Sequence, residues 1–342
     1  MIRDAIAALA AGRRPTRAEA RDVMREIMEG AATPAQIAAY LIALRIRGED
    51  ADVIAGSAEA MRERFTAIRA PAGPVVDTCG TGGDGARTFN ISTTAAFVAA
   101  GAGAIVAKHG NRGVSSTCGS ADVLAELGVD LQLPPPRVEA CLAEVGIAFL
   151  FAPLLHPAMK HAIGPRREIG IRTVFNLLGP LSNPAGARRG VLGVYDPAMV
   201  PVLAGAARDL GAERVLVVHG SDGLDELTLT GPSRVAEATP DGVRQFEVTP
   251  EDAGLPRCDP AELAGGDPPT NARILRGVLE GDRGPRRDIV LLNAAAALLA
   301  ADLASDLREA VARAAESVDS GAARRRLDAL VDFCRRERGV PS

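Results

Sequence analysis

At Pro71-Ala72-Gly73-Pro74 the hydrophobic period of the chain changes, and this change limits the possible folds more than any other feature. Upstream, apolar residues recur at helical spacing. Thr16 with Glu19 forms a capping-box pattern ahead of Ala20, Val23, Met24, Ile27 and Met28. Thr33, Pro34 and Gln36 repeat the logic of cap, first-turn proline and return contact, followed by a face of Ile37, Tyr40, Leu41 and Leu44 and a stop at Gly48. A third helix carries Val53, Ile54, Ser57, Met61 and Phe65. The proline and glycine cluster then marks a hinge. Downstream, the short apolar runs 75–77, 104–107, 147–151, 191–194 and 215–219 alternate with helix-like stretches at 93–100, 123–127, 138–145 and 199–210. Such alternation predicts a mainly parallel central sheet flanked by helices. Segment 232–285, rich in Pro, Gly and Asp, reads as turns and short strands. The tail from Leu291 to Arg338 returns to helix, with Ser305 and Ser317 or Ser320 as possible caps.

Composition excludes several roles. A net charge of −4, no Trp and only two Tyr leave neither a basic footprint nor a stacking platform for nucleic acid. Five cysteines without a CxxC pair argue against a disulfide scaffold or zinc site and fit the reducing cytoplasm. The apolar start at Ala5–Ala11 lacks a signal-peptide layout. The most apolar run, Leu291–Ala304, is broken by Asn293 and Asp302, so it reads as a buried helix and not a membrane span.

The richest chemistry follows the first predicted strand. In Gly80-Thr81-Gly82-Gly83-Asp84-Gly85, four glycines let backbone N–H groups approach an anion. Asn90-Ile91-Ser92-Thr93 then opens an apolar helix, whose N-terminus favours phosphate. Gly80, Gly82 and Gly85 also fit the dinucleotide fingerprint, but no helix starts at the third glycine and the next strand ends at Lys108-His109, not at an acid. Ala86 stands where a Walker A lysine belongs. After that strand comes Lys108-His109-Gly110-Asn111-Arg112-Gly113-Val114-Ser115-Ser116, reaching Ser120, with positive charge, hydroxyls and open backbone together. Two such loops at the carboxyl edge of a sheet imply a substrate with two separated phosphate groups. The bland alternatives are a structural turn and a polar surface loop.

These motifs, with Arg172–Pro184 and Asp222-Gly223-Leu224-Asp225-Glu226, stand in the order and spacing of one family. Nearly the whole chain resembles the anthranilate phosphoribosyltransferases. The resemblance implies a small all-helical domain at 1–70, joined by helices around 165–185, and a large α/β domain at 74–342. It also implies a homodimer through the helical domain. Residue by residue, Gly80, Gly83, Asp84, Thr88, Asn90, Ile91, Ser92, Thr93, Lys108, His109, Gly110, Asn111, Arg112, Gly113, Val114, Ser115, Ser116 and Ser120 resemble the phosphoribosyl pyrophosphate cradle. Gly80, Asn111 and Arg166 match positions that meet anthranilate, with His109 and His156 nearby. Ser92, Asp225 and Glu226 match the magnesium positions, and two Mg²⁺ ions per subunit are implied.

The residue chemistry agrees with this reading. Adjacent carboxylates suit a magnesium ion that also takes substrate oxygens, although an isolated Asp-Glu pair is more often solvated surface charge. Departing pyrophosphate gathers negative charge that Lys108 and the Asp225–Glu226 metal site can stabilise. Guanidinium at Arg166 suits a carboxylate. An aromatic amine is already nucleophilic, so no general base is assigned and positioning carries the rate. Two alternatives stay open. One is a pyrimidine nucleoside phosphorylase, and the other a non-catalytic paralogue that binds nucleotide or nucleic acid.

Overall fold

The computed structural model describes residues 1–113 and 117–337. Val114, Ser115 and Ser116, expected in the second loop, lie outside the described residues. Both threonine caps form. Thr16 accepts from Glu19 N and Thr33 from Gln36 N, each at 3.3 Å, and both return contacts are made. Each cap is worth about 1 kcal/mol. They open α2 (Arg17–Met28) and α3 (Pro34–Arg47), preceded by α1 (Ile2–Ala10) and followed by α4 (Ala51–Arg62). Phe65 lies beyond α4, its ring edge-on to His156.

The alternating half then runs β1 (Val75–Gly80), α5 (Ile91–Gly101), β2 (Ile105–Gly110), α6 (Ser120–Glu126), α7 (Pro135–Val145) and β3 (Ile147–Phe151). Helices α8 (Ala152–Leu155), α9 (Lys160–Ile169) and α10 (Phe175–Leu178) return the chain to the N-terminal bundle, where α9 packs on α2 and α3 and α10 on α4. The chain re-enters the sheet at β4 (Arg189–Gly193), then α11 (Met199–Asp209), β5 (Arg214–Gly220), β6 (Ser233–Thr239) and β7 (Gly242–Val248). Helices α12 (Pro268–Leu279), α13 (Pro285–Ala300), α14 (Leu307–Asp319) and α15 (Ala322–Glu337) complete it.

The sheet order is β3-β2-β1-β4-β5-β6-β7. The first five strands are parallel, and β6 and β7 add antiparallel to the edge. Period-two alternation divides the core between the two faces. Val191, Leu216, Val218 and Val235 join the cluster built on α5 and α13. Their neighbours Leu192, Val217 and Ala236 join the cluster built on α11 and the N-terminal helices. The fold is therefore a small helical bundle against a large α/β unit. From β1 the chain moves outward through β2 and β3, then returns to place β4 on the other side of β1. The crevice outside the carboxyl ends of β1 and β4 is the topological switch point, where open α/β sheets bind ligands.

Two expectations need correction. Segment 232–285 holds more than turns and short strands, because α12 runs for twelve residues there. The Asp267 side chain accepts from Thr270 N at 2.9 Å, and Pro268 fills the first turn, so the Pro and Asp that suggested a turn are helix-starting signals. In the tail, the cap of α14 is Asp306 and not Ser305, accepting from Glu309 N at 2.9 Å. Ser317 lies inside α14 and gives its hydroxyl to Val98 O, and Ser320 ends that helix.

Candidate active site

Strands β1 and β2 bring buried polar side chains to the switch point. Asp77, on β1, is buried. It accepts from His109 N at 3.1 Å and from Asn183 Nδ2 at 2.7 Å, which ties β2 and the segment after α10 to the central strand. Burial raises its pKa to about 6, against the pull of Lys108 and these hydrogen bonds. Lys108, also buried, reaches across to the carbonyl and hydroxyl oxygens of Thr78 and to Ser92 Oγ at 3.4 Å.

The two histidines form a pair. His109 Nδ1 lies 3.1 Å from Gly179 O, so it must carry the proton and donate. His109 Nε2 then accepts from His156 Nε2–H, also at 3.1 Å. Burial lowers both pKa values, His109 to about 3 and His156 to about 4, so the pair is neutral at pH 7.

The glycine loop leaves β1 and is held by two distant side chains. Asp225 Oδ2 accepts from Gly82 N at 2.7 Å, and a Cβ on Gly80 would overlap that carboxylate. Arg172 donates Nη2 to Thr81 O at 2.8 Å and to Gly82 O, and a Cβ on Gly83 would overlap its guanidinium. Asp84 stays half-buried in the loop, accepting from Ala86 N. Arg87 holds a φ of 53°, a rare conformation for a side-chain-bearing residue, with its carbonyl accepting from Gly265 N. Thr88 forms an isolated antiparallel bridge with Ala264.

Asn90, Ile91, Ser92 and Thr93 form the start of α5. Glu226 Oε1 accepts from Ser92 N at 3.1 Å, so its carboxylate sits at the positive end of that helix. Burial raises the pKa of Asp225 and Glu226 above the usual carboxylate range. Repulsion from neighbouring carboxylates adds to it, Asp84 for Asp225 and Asp225 for Glu226. Buried like charges of this kind call for a cation. Among the described residues no three His, Cys, Asp or Glu side chains converge on one point. Magnesium takes one or two carboxylates and completes its shell with water and substrate oxygens. Asp225, Glu226 and Ser92 Oγ are the residues present that could hold it.

The second loop leaves β2 at Gly110. Asp122 holds it closed, accepting from Gly113 N at 2.8 Å, Gly119 N at 2.9 Å and Arg112 Nη1 at 2.9 Å. Ser120 Oγ donates to Asn111 O. Asn90 Nδ2 donates to Cys118 O, so the two loops meet at the start of α5. Arg166 lies on α9 with its guanidinium 5.0 Å from the Phe175 ring centre. No hydrogen bond joins it to Gly80 or Asn111 among the described residues.

Three residues at the site had no role in the sequence reading. Asn271, on the unexpected α12, holds Asn90 Oδ1 at 3.0 Å and accepts from Gly266 N. Buried Asn293, which interrupts the apolar run of α13, bonds both N and O of Leu227, directly after the acidic pair. Arg172 stood inside a quoted motif without a role. A polar residue at a core position of a helix was the available signal for the two asparagines.

Residues 3–65 match the glycosyl transferase family helical bundle domain, and residues 72–324 its a/b domain. The chain is 60% identical to the anthranilate phosphoribosyltransferase of Anaeromyxobacter dehalogenans over 97% of this chain and 98% of that protein. The crystal structure of anthranilate phosphoribosyltransferase from Thermus thermophilus superposes with a TM-score of 0.92 at 47% identity, covering 97% of this chain and 99% of that one. The Saccharomyces cerevisiae enzyme in complex with PRPP and Mg gives 0.89 at 30% identity, covering 97% of each chain, and it has also been solved with 4-fluoroanthranilate. Matched along almost its full length in both sequence and fold, the chain belongs to the anthranilate phosphoribosyltransferase family.

Proposed function

We infer that this chain transfers the phosphoribosyl group of phosphoribosyl pyrophosphate to the amine of anthranilate, releasing pyrophosphate, as a step of tryptophan biosynthesis. One observation carries the reading. The glycine loop and the N-terminus of α5 converge at the switch point, and adjacent carboxylates cap both. Such a site takes a metal-bound anion of high charge. The diphosphate end of the donor is the stronger metal chelator, so it belongs beside Asp225 and Glu226, and the second loop receives the 5′-phosphate. When bound, Mg²⁺, at two ions per subunit, supplies positive charge to the departing diphosphate.

The chain's own residues do the rest. Lys108 adds a buried positive charge at the leaving side. Gly83, Asp84, Thr88, Asn90, Ile91, Ser92 and Thr93 shape one half of the cradle, and His109 to Ser116 with Ser120 the other. Gly80, Asn111 and Arg166 receive anthranilate, Arg166 through its carboxylate. His109 and His156 are neutral polar walls there, and neither is needed as a base for a neutral amine. Helices α1 to α4, α9 and α10 make up the small domain, with the hinge at 71–74 and the large domain at 74–342. Exposed Ile46 on α3 and Ile163 on α9 support a homodimer through this bundle. Five cysteines without a CxxC pair support a cytoplasmic site of action.

The test mixes protein, Mg²⁺, phosphoribosyl pyrophosphate and anthranilate and follows anthranilate fluorescence. Loss that needs all three, with one pyrophosphate released per anthranilate consumed, is expected. Folded protein that leaves the fluorescence unchanged and phosphorolyses thymidine or uridine would overturn the reading.

A further inference from the structure

Arg172 sits between α9 and α10, on the bundle side, and its guanidinium crosses to the glycine loop. It lies over the Tyr195 ring, 3.9 Å from the centre, just past the end of β4. Only Nη2 is used, on the carbonyls of Thr81 and Gly82. Nε and Nη1 are buried without a hydrogen-bond partner among the described residues. A buried charged donor left unused is costly, so this arrangement is incomplete as structural support. Arg62 shows the contrast. It too bridges the bundle to the rest of the molecule, and it places Nε on Leu181 O and Nη1 on Leu210 O.

We propose that Arg172 is a substrate-binding residue whose Nε–H and Nη1–H donate to oxygens of the donor's pyrophosphate group. The assignment rests on the functional reading above, which puts the diphosphate beside Asp225. The absence of a side chain at Gly83 is what admits the guanidinium to the loop. Tyr195 fixes the plane of the guanidinium, whose two unused N–H donors diverge and can each make a charge-assisted hydrogen bond to a phosphate oxygen. Arg172 also joins the bundle to the sheet, so diphosphate binding draws the two halves together.

The experiment titrates inorganic pyrophosphate with Mg²⁺ into wild type, Arg172→Gln and Arg172→Lys by calorimetry, with steady-state kinetics on each. Arg172→Gln should weaken pyrophosphate binding and raise the donor KM by about ten- to a hundredfold, the effect of losing charge-assisted hydrogen bonds. The anthranilate KM should stay within about twofold, since its carboxylate has a separate partner. Arg172→Lys keeps the charge without the planar set of donors and should recover only part of the loss. Wild-type pyrophosphate affinity in folded Arg172→Gln, or a change confined to the anthranilate KM, would overturn the proposal. If Arg172→Gln does not fold, Arg172→Lys decides, and wild-type affinity there overturns it. Wild-type protein that neither binds pyrophosphate nor consumes the donor would instead overturn the functional reading.

Discussion

The loops after β1 and β2 are built in opposite ways. The loop after β1 is held from far away: Asp225 reaches Gly82 from 143 residues downstream, and Arg172 reaches Thr81 from 91. The loop after β2 is held locally: Asp122 closes it from nine residues beyond Gly113, and Ser120 reaches back nine to Asn111. The Asp122 clasp needs only nearby residues, although Cys118 and Thr117 also contact Asn90 and Gly266. A loop closed by distant side chains takes its shape only when the fold is complete, and it can respond when those side chains find another partner.

That difference sets the size of four expected effects. The largest belongs to the remotely held loop. Asp225→Asn with Glu226→Gln should lower turnover at limiting Mg²⁺ by about 10²–10³-fold, the scale of removing preorganised electrostatic stabilisation. Initial rates against Mg²⁺ concentration check this, and a wild-type curve would remove the acidic pair from the mechanism.

Beneath the second loop, the histidine pair gives a pH signature. Both imidazoles are held neutral, so their contribution to stability is complete above the ordinary value of 6.5 and is lost as pH falls toward about 4 for His156 and about 3 for His109. Raised carboxyls such as Asp77 push the other way, because they bind protons more readily when folded. Comparing wild type with His156→Gln isolates the imidazole. The stability difference should change by about 2 kcal/mol in the variant's favour between pH 6.5 and pH 5. Urea unfolding at several pH values measures it, and a difference independent of pH would contradict the buried neutral pair.

Cutting the local clasp should matter less. Burial alone would raise the Asp122 pKa. The Gly113 and Gly119 amides and Arg112 together hold it below the usual range, so the clasp is charged throughout the working pH range. Asp122→Asn should raise the donor KM by about tenfold, one charge-assisted bond's worth, with Mg²⁺ dependence unaltered. A changed Mg²⁺ dependence would show that the loops are not independent. Smallest of all, Asn271→Ala frees Asn90 where the loops meet and should raise the donor KM about fivefold. An unchanged KM would make that contact dispensable.

The same contrast explains what could be read from the sequence. Thr16 and Thr33 announce their helices because cap and return contact lie three residues apart. The parallel strands announce themselves by alternation. The glycine motif reveals an anion site, but not that Gly80 and Gly83 are small because Asp225 and Arg172 come to rest there. Asn271 was hidden because Asp267-Pro268-Pro269, read as a turn, starts a helix. Asn293 was visible only as a blemish in an apolar run. The partner that gives each its meaning is 181 residues away for Asn271 and 66 for Asn293, and no local pattern records it.

The most direct measurement is a crystal structure of this protein with Mg²⁺ and phosphoribosyl pyrophosphate bound. The account predicts the diphosphate at the glycine loop and the start of α5, the 5′-phosphate at the second loop, and the Asp225 and Glu226 carboxylates moved from Gly82 N and Ser92 N onto the metal. A donor bound elsewhere, with both carboxylates still on those backbone amides, would contradict it.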